Sequence, residues 1–332
     1  MKSKFVKVLQ FLSFLLLAVV LLYFAFRGID FDEVVLQIRE ANYRWVAFSM
    51  FFAILAIVFR AFRWRLLIEP LDKYPKIINI FHAINVGYLA NFLFPRIGEI
   101  TRCGILNRTD KVPADKLFGT VVVERIFDML MSAFMLCLIL IMRFNVVRDF
   151  FAEQVVQPII NSIEIGWIIV IIAFTALILF AFYRIFRNTI VIRKIVELLH
   201  GVANGIKSVK RLRNFKLFIA LSFIIFGMYF LQTYVLFFAL ESTSSLGIGD
   251  ALFVLVISAI ALILPVQGGI GAYHWIISMG LTIFGLTREE GMVYAAISHS
   301  VTSILFIMMG AISLIFVFYG KNLSNKSVKR HP

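Results

Sequence analysis

Apolar residues fall in long blocks along this chain, and charges are largely confined to the gaps between them. A membrane helix needs about 20 apolar residues. Six blocks meet that length and each predicts a full span: 8–26, 43–62, 117–142, 165–183, 217–240 and 291–319. Two further blocks are broken. Residues 77–106 are interrupted at Pro95, and residues 251–287 by LPVQGGIG at 264–271. The arms 251–264 and 273–287 rise about 1.5 Å per residue, which leaves each short of a ~30 Å hydrocarbon core. The arm 77–95 is long enough to cross.

Lysine and arginine concentrate in cytoplasmic loops, so the gaps predict orientation. The N-terminus (Lys2, Lys4, Lys7), residues 60–76, 96–116 and 184–216, and the tail are predominantly basic and read as inside. Residues 27–42, 143–164, 241–250 and 288–290 are predominantly acidic and read as outside. Segment 77–116 then begins and ends inside, and 251–290 begins and ends outside. The expected fold is an all-α polytopic integral membrane protein, with six full spans and two opposed re-entrant hairpins in an inverted-repeat arrangement. An eight-span helical bundle is the alternative. Residues 1–332 read as one transmembrane domain. Its parts are a first span (8–26), a span–hairpin–span unit (43–142), a linking span (165–183), a basic segment (184–216) and a second unit (217–319). Both termini read as cytoplasmic, and the plasma membrane is the expected location.

In the basic segment, Val191, Ile195, Leu198, Val202, Ile206 and Val209 recur at helical spacing, with Arg193, Lys194, Lys207, Lys210 and Arg211 off that stripe. This predicts an amphipathic helix, laid either on the inner leaflet or on the protein's own cytoplasmic face.

Composition agrees with the blocks. The 332 residues are 61% hydrophobic and 16% charged, with a mean hydropathy of +0.93, against about 25% charged in a soluble domain. A net charge of +14 suits inner-face loops and anionic headgroups. Nucleic acid is not an expected partner, because no soluble fold is left to carry a basic face. The run Val8–Phe26 is longer than a signal h-region and lacks a cleavage site after it, so a retained helix is expected. Cys103 and Cys137 show neither disulfide nor metal-ligand spacing, and no cofactor or metal is expected. The nucleotide-binding motif G-x-x-x-x-G-K-[ST] is absent, so any transport would be downhill or ion-coupled.

The charges inside the apolar blocks carry the chemistry. Non-helical backbone at membrane depth persists only where protein or a watery cavity satisfies it. A helix starting after Pro95 would turn free N–H groups and a positive dipole toward such a cavity. Arg96 and Arg102 would add fixed cationic donors there, a set suited to phosphate, with Glu99 holding one of them. The opposite reading is interfacial salt bridges alone. In the span 117–142, Glu124 and Asp128 share a helix face and Arg125 is three residues from Asp128. Such charges usually face an interior or a pathway. A structural pair, between Arg125 and an acid or between Glu124 and a hairpin arginine, is the alternative and is compatible with binding. Arg60 reads as snorkelling from the end of its span. In the second broken block, Gly268, Gly269 and Gly271 give backbone freedom, and Gln267, Tyr273 and His274 neutral polar contacts, or else a satisfied tight turn. His299, with Ser298, Ser300 and Thr302, makes a polar patch in the last span, read as packing or as a proton relay. Asn85 and Asn91 suit interhelical hydrogen bonds.

GYLANFLFPRIGEITR (87–102), ERIFD (124–128) and LPVQGGIGAYHW (264–275), in this order and spacing, resemble the lysylphosphatidylglycerol synthase transmembrane-region family of flippase-like membrane proteins, over roughly residues 10–320. The resemblance implies a membrane domain that moves aminoacylated phospholipid between leaflets. It carries a site role to Asn91, Arg96, Glu99, Arg102, Glu124, Arg125 and Asp128. Two-part members join a cytosolic synthase domain to this region. The short tail after residue 319 holds none, so synthase activity is not carried over. Family members commonly have a Glu soon after the Gly-rich turn, where Ala272-Tyr273-His274 stand here. That departure counts against a lysyl headgroup as cargo and leaves phosphate binding intact. The leading expectation is a lipid translocase for an anionic phospholipid or lipid-linked phosphate. A membrane-embedded transferase with Asp128 or Glu124 as general base, and a non-catalytic partner subunit, are the alternatives.

Overall fold

The computed structural model describes residues 31–71, 73–93, 97–152, 212–263 and 267–328. The predicted spans 8–26 and 165–183 and nearly all of the basic segment 184–216 lie outside these, as do Pro95 and Arg96. Among the described residues every regular element is helical: α1 (Phe31–Glu40), α2 (Tyr43–Ile68), α3 (Ile77–Leu93), α4 (Gly98–Asp110), α5 (Ala114–Met142), α6 (Phe144–Phe151), α7 (Phe215–Phe237), α8 (Ile248–Ile263), α9 (Ala272–Leu281) and α10 (Arg288–Val328).

Four of them are long and apolar enough to cross a membrane. They run over Tyr43–Leu71, Ala114–Met142, Phe215–Phe237 and Arg288–Phe318, matching four of the six predicted spans. Local chemistry fixes their ends. The Asn42 side chain accepts from the Arg44 N–H (3.2 Å) at the start of α2. Thr287 and Glu290 cap α10 reciprocally, Thr287 N–H to Glu290 Oε2 at 2.8 Å and Glu290 N–H to Thr287 Oγ1 at 3.2 Å. α4 stops at Lys111, whose φ of +58° is left-handed.

The broken blocks form two helix pairs, α3–α4 and α8–α9, each packed on itself. With 17, 13, 16 and 10 residues, these helices reach about 25, 20, 24 and 15 Å. Over their described lengths all are shorter than a ~30 Å core; α3 and α8 are described as far as Leu93 and Ile263.

Two apolar cores result. One gathers Ile57, Trp64 and Ile68 from the end of α2, Ile80 and Ile84 of α3, Leu106 of α4, Leu117 and Val121 from the start of α5, Phe218 from the start of α7, and Val317 late in α10. The other holds Val46 from the start of α2, Ile139 from the end of α5, Phe237 from the end of α7, Val254 and Ile257 of α8, Ile277 and Leu281 of α9, and Met292 and Tyr294 from the start of α10. Each long helix thus gives opposite ends to the two cores, whereas each short pair belongs wholly to one.

Candidate functional site

The site grows from the faces of α2 and α5 that meet each other. On α5, Thr120, Glu124, Phe127 and Met131 recur every three or four residues and are buried, while Phe118, Val122 and Met129 are exposed. A carboxylate placed on that buried stripe needs a cation. α2 supplies two, because Arg60 and Arg63 lie on its buried side with Trp64.

The resulting network is tight. Arg60 Nε donates to Glu124 Oε1 at 2.7 Å, and Arg60 Nη2 to Asp128 Oδ2. Arg63 Nη2 donates to Asp128 Oδ1 at 2.5 Å and to Glu124 Oε1 at 3.5 Å. From α7, Ser222 Oγ accepts from Arg63 (3.2 Å) and the Tyr229 hydroxyl from Arg60 (3.1 Å). Arg102 of α4 brings Nη2 to 2.8 Å from Glu124 Oε2. Its guanidinium lies over the ring of Trp64 at 4.5 Å, and the Trp64 N–H is fixed on Thr120 Oγ1 at 2.9 Å. Arg125 is loosely held, 3.6 Å from Glu99 and 3.5 Å from Asp128, with its side chain 42% exposed.

Two glycines let α4 reach this network. A Cβ on Gly98 would collide with the Gly87 carbonyl and lie 2.7 Å from the Asn91 amide, so α3 and α4 touch backbone to backbone. Asn91 Oδ1 accepts from the Gly98 N–H at 2.7 Å, capping the start of α4. A cleft opens there, lined by Arg60, Tyr88, Asn91, Glu99, Arg102 and Arg125 among others. It encloses about 220 Å³ including its mouth, but its floor has room for about one water molecule.

Some donors in this cleft are unspent. Arg102 is 3% exposed; its Nη2 is paired with Glu124 Oε2, but its Nε has no hydrogen-bond partner among the described residues, and the same holds for Arg125 Nε and for the acceptor Glu99 Oε2. Among the described residues four guanidiniums face three carboxylates, so with all of these groups ionised one positive charge is in excess.

The second helix pair carries a separate, uncharged cluster. Gly268 and Gly269, with φ of +59° and +75°, turn the chain between α8 and α9. The Gly268 carbonyl lies 2.6 Å from His299 Nε2. His274 and Tyr273 stand 4.9 and 5.3 Å from the His299 ring, and Gly271 N–H points at His274 Nδ1 over 3.4 Å. The Tyr273 hydroxyl pairs with Ser298 Oγ at 3.1 Å. The clusters adjoin at one place, where Gly268 packs on the Phe92 ring; a Cβ there would sit 3.1 Å from it.

Most sequence-predicted residues therefore fall into these two groups: Asn91, Glu99, Arg102, Glu124, Arg125 and Asp128 in one, Gly268, Gly269, Gly271, Tyr273, His274 and His299 in the other. Arg96 and the Gln267 side chain lie outside the described residues. Glu99 pairs with Arg125 on the next helix, and its expected alternative partner Arg96 lies outside the described residues. Two expectations differ from what is found. Arg60 does not snorkel; at 5% exposure it is buried at the centre of the network. Asn85 donates to Phe81 of its own helix at 2.9 Å instead of bridging helices. The structural pair between Glu124 and a hairpin arginine is present as Glu124–Arg102. Arg63, Tyr229 and Ser222 went unnoticed as site residues. Their one sequence signal is that two intramembrane carboxylates require buried cations, and Arg60 and Arg63 share the turn that could meet them.

The sequence profile of the lysylphosphatidylglycerol synthase TM region matches residues 10–310. The chain belongs to that family. A relative, a UPF0104 membrane protein of Methanocaldococcus jannaschii, is 23% identical over 96% of this chain and 97% of its own length. No solved structure matches the chain. For a member of the lysylphosphatidylglycerol synthase TM region family, the helical architecture with long apolar helices fits an integral membrane protein.

Proposed function

We propose that this protein moves an anionic phospholipid or lipid-linked phosphate between leaflets, and that the arginine cleft holds its phosphate. The observation that carries the reading is Arg102: a buried guanidinium, clamped on Trp64 and paired on one side with Glu124, with an Nε that has no hydrogen-bond partner among the described residues. Buried polar groups are nearly always hydrogen-bonded, and guanidinium donors match phosphate oxygens in a bidentate fork. The excess positive charge favours an anion over a cation. Arg60 and Arg63 hold Glu124 and Asp128, and those carboxylates in turn neutralise the arginines when no ligand is bound. The cleft's floor is too small for a phosphate as it stands, so α4 and α5 must part for entry.

Within this reading α3–α4 and α8–α9 are re-entrant hairpins from opposite leaflets, and residues 43–142 and 217–319 are inverted repeats. The short helices support it, as do the two cores with one hairpin each. Half-helices meeting from two sides at a binding site are a recurrent transporter plan. The setting in this reading is the plasma membrane, with both termini in the cytoplasm, an orientation that the basic loops support.

The test is leaflet exchange of fluorescent phosphatidylglycerol in proteoliposomes, read by dithionite quenching. Arg102→Gln should slow exchange by roughly tenfold to a hundredfold, the loss of one charged hydrogen-bonding partner worth about 1.5–3 kcal/mol. Arg102→Lys, which keeps the charge but loses the fork, should fall between. Exchange by folded Arg102→Gln at the parental rate would remove the arginine cleft from the pathway.

A further inference from the structure

Among the described residues the uncharged cluster around His299 contains no carboxylate or guanidinium, although it adjoins a cleft with four arginines. We propose that His299 binds a proton in step with occupancy of the arginine cleft, so that an anionic headgroup and one proton are taken up and released together. This rests on the reading of the cleft as an anion site.

The hydrogen bonds assign the proton positions. A carbonyl can only accept, so the 2.6 Å contact with Gly268 O puts the neutral ring's hydrogen on His299 Nε2. Nδ1 then carries the lone pair, and it makes no hydrogen bond to any described residue. A proton from water can add there without breaking any bond: the imidazolium keeps Nε2–H on Gly268 O, and the proton returns to water on release.

The surroundings decide when that happens. From α9 the ring faces Tyr273 and His274. Tyr273 is engaged with Ser298 of α10 and lies 3.5 Å from Ser258 of α8. From α7, Gln232 is bonded to Thr302, one turn beyond His299. The titratable neighbours are thus a tyrosine and a second histidine, and two rings 4.9 Å apart do not both hold a charge readily. A lone imidazolium here is half-buried without a counter-charge. An anion in the adjoining cleft supplies one.

The two sites meet through Phe92. Gly268, whose carbonyl His299 holds, is pressed on Phe92. The next residue, Asn91, lines the cleft and caps the helix that bears Arg102. Linkage is reciprocal: if the anion favours the proton, the proton favours the anion by the same factor. Affinity for anionic lipid must therefore fall as pH rises.

The experiment titrates the full-length protein in nanodiscs with dihexanoyl phosphatidylglycerol, whose phosphodiester keeps its charge over pH 6–8. Proton uptake is followed by a pH dye in weak buffer. The parent protein should take up a substantial fraction of one proton per lipid bound, and its affinity should drop severalfold, at most tenfold per pH unit, toward pH 8. His299→Gln keeps an N–H for Gly268 but accepts no proton. It should bind with a flat pH profile and no uptake, whereas His82→Gln, a histidine on Ser313 outside this cluster, should behave as the parent. Binding by the parent without uptake, or a parental profile in His299→Gln, would overturn the proton site. Linked uptake without leaflet exchange would overturn the translocase reading and leave the proton site standing. No lipid binding at any pH would overturn both.

Discussion

Glu124 is the residue on which the network turns. It is fully buried and faces Arg60, Arg63 and Arg102 at 2.7, 3.5 and 2.8 Å. Removing one partner of a buried ion pair strands the other charge, at a cost of about 3–5 kcal/mol. Glu124→Gln should accordingly lower the melting temperature in detergent strongly, and more than Arg125→Gln. Arg125 is 42% exposed with no contact below 3.5 Å, and such a pair is worth about 0–1 kcal/mol. Equal destabilisation by the two would mean that the buried cluster is not what holds α2 to α5. Glu124 and Asp128 stood out in the sequence because charge inside an apolar block is conspicuous. Arg60 and Arg63 did not, because near the end of such a block an arginine that reaches water and one that turns inward to a carboxylate sixty residues away have the same local pattern. Only the acids' need for cations distinguishes them.

At the scale of elements, the close contact of α3 with α4 positions Arg102. Gly98→Ala would drive a methyl into the Gly87 carbonyl and the Asn91 amide. Backbone cannot yield as a flexible side chain does, so a loss of about 1–3 kcal/mol is expected, together with slower leaflet exchange as α4 shifts. Gly104 is the internal control. It lies in the same helix with nothing within 4 Å of an added Cβ, so Gly104→Ala should leave exchange intact and stabilise by about 0.5–1 kcal/mol. If both alanines act alike, helix propensity and not close approach governs this pair. The break itself was legible, since Pro95 and the glycines interrupt an apolar run. The uncharged cluster was legible as a list of polar residues near a glycine turn. That His299 holds the turn's carbonyl depends on α10 packing against α9, which no local pattern encodes.

At the scale of the molecule, the two cores and the two short helix pairs lead to a prediction about sidedness. Between the cores α2 and α10 run one way and α5 and α7 the other. A pair confined to one core should then begin and end on one face of the membrane. Lys73 and Lys116 flank the first pair, Ser245 and Thr287 the second, and all four are exposed. Single cysteines at these positions, in a protein lacking Cys103 and Cys137, should react with membrane-impermeant maleimide in two sets. Positions 73 and 116 should label from the face that carries the basic loops, and 245 and 287 from the other. An eight-span bundle separates the members of each set, because each short pair would then cross once more. Finding 73 and 116 on opposite faces would therefore reject the first hairpin, and with it the idea that α4 delivers Arg102 from the same side on which α3 enters. Charge bias alone could not decide this. Residues 96–116 carry acids as well as bases, whereas Ile80, Ile84 and Leu106 of α3–α4 share one core with the end of α2 and the start of α5.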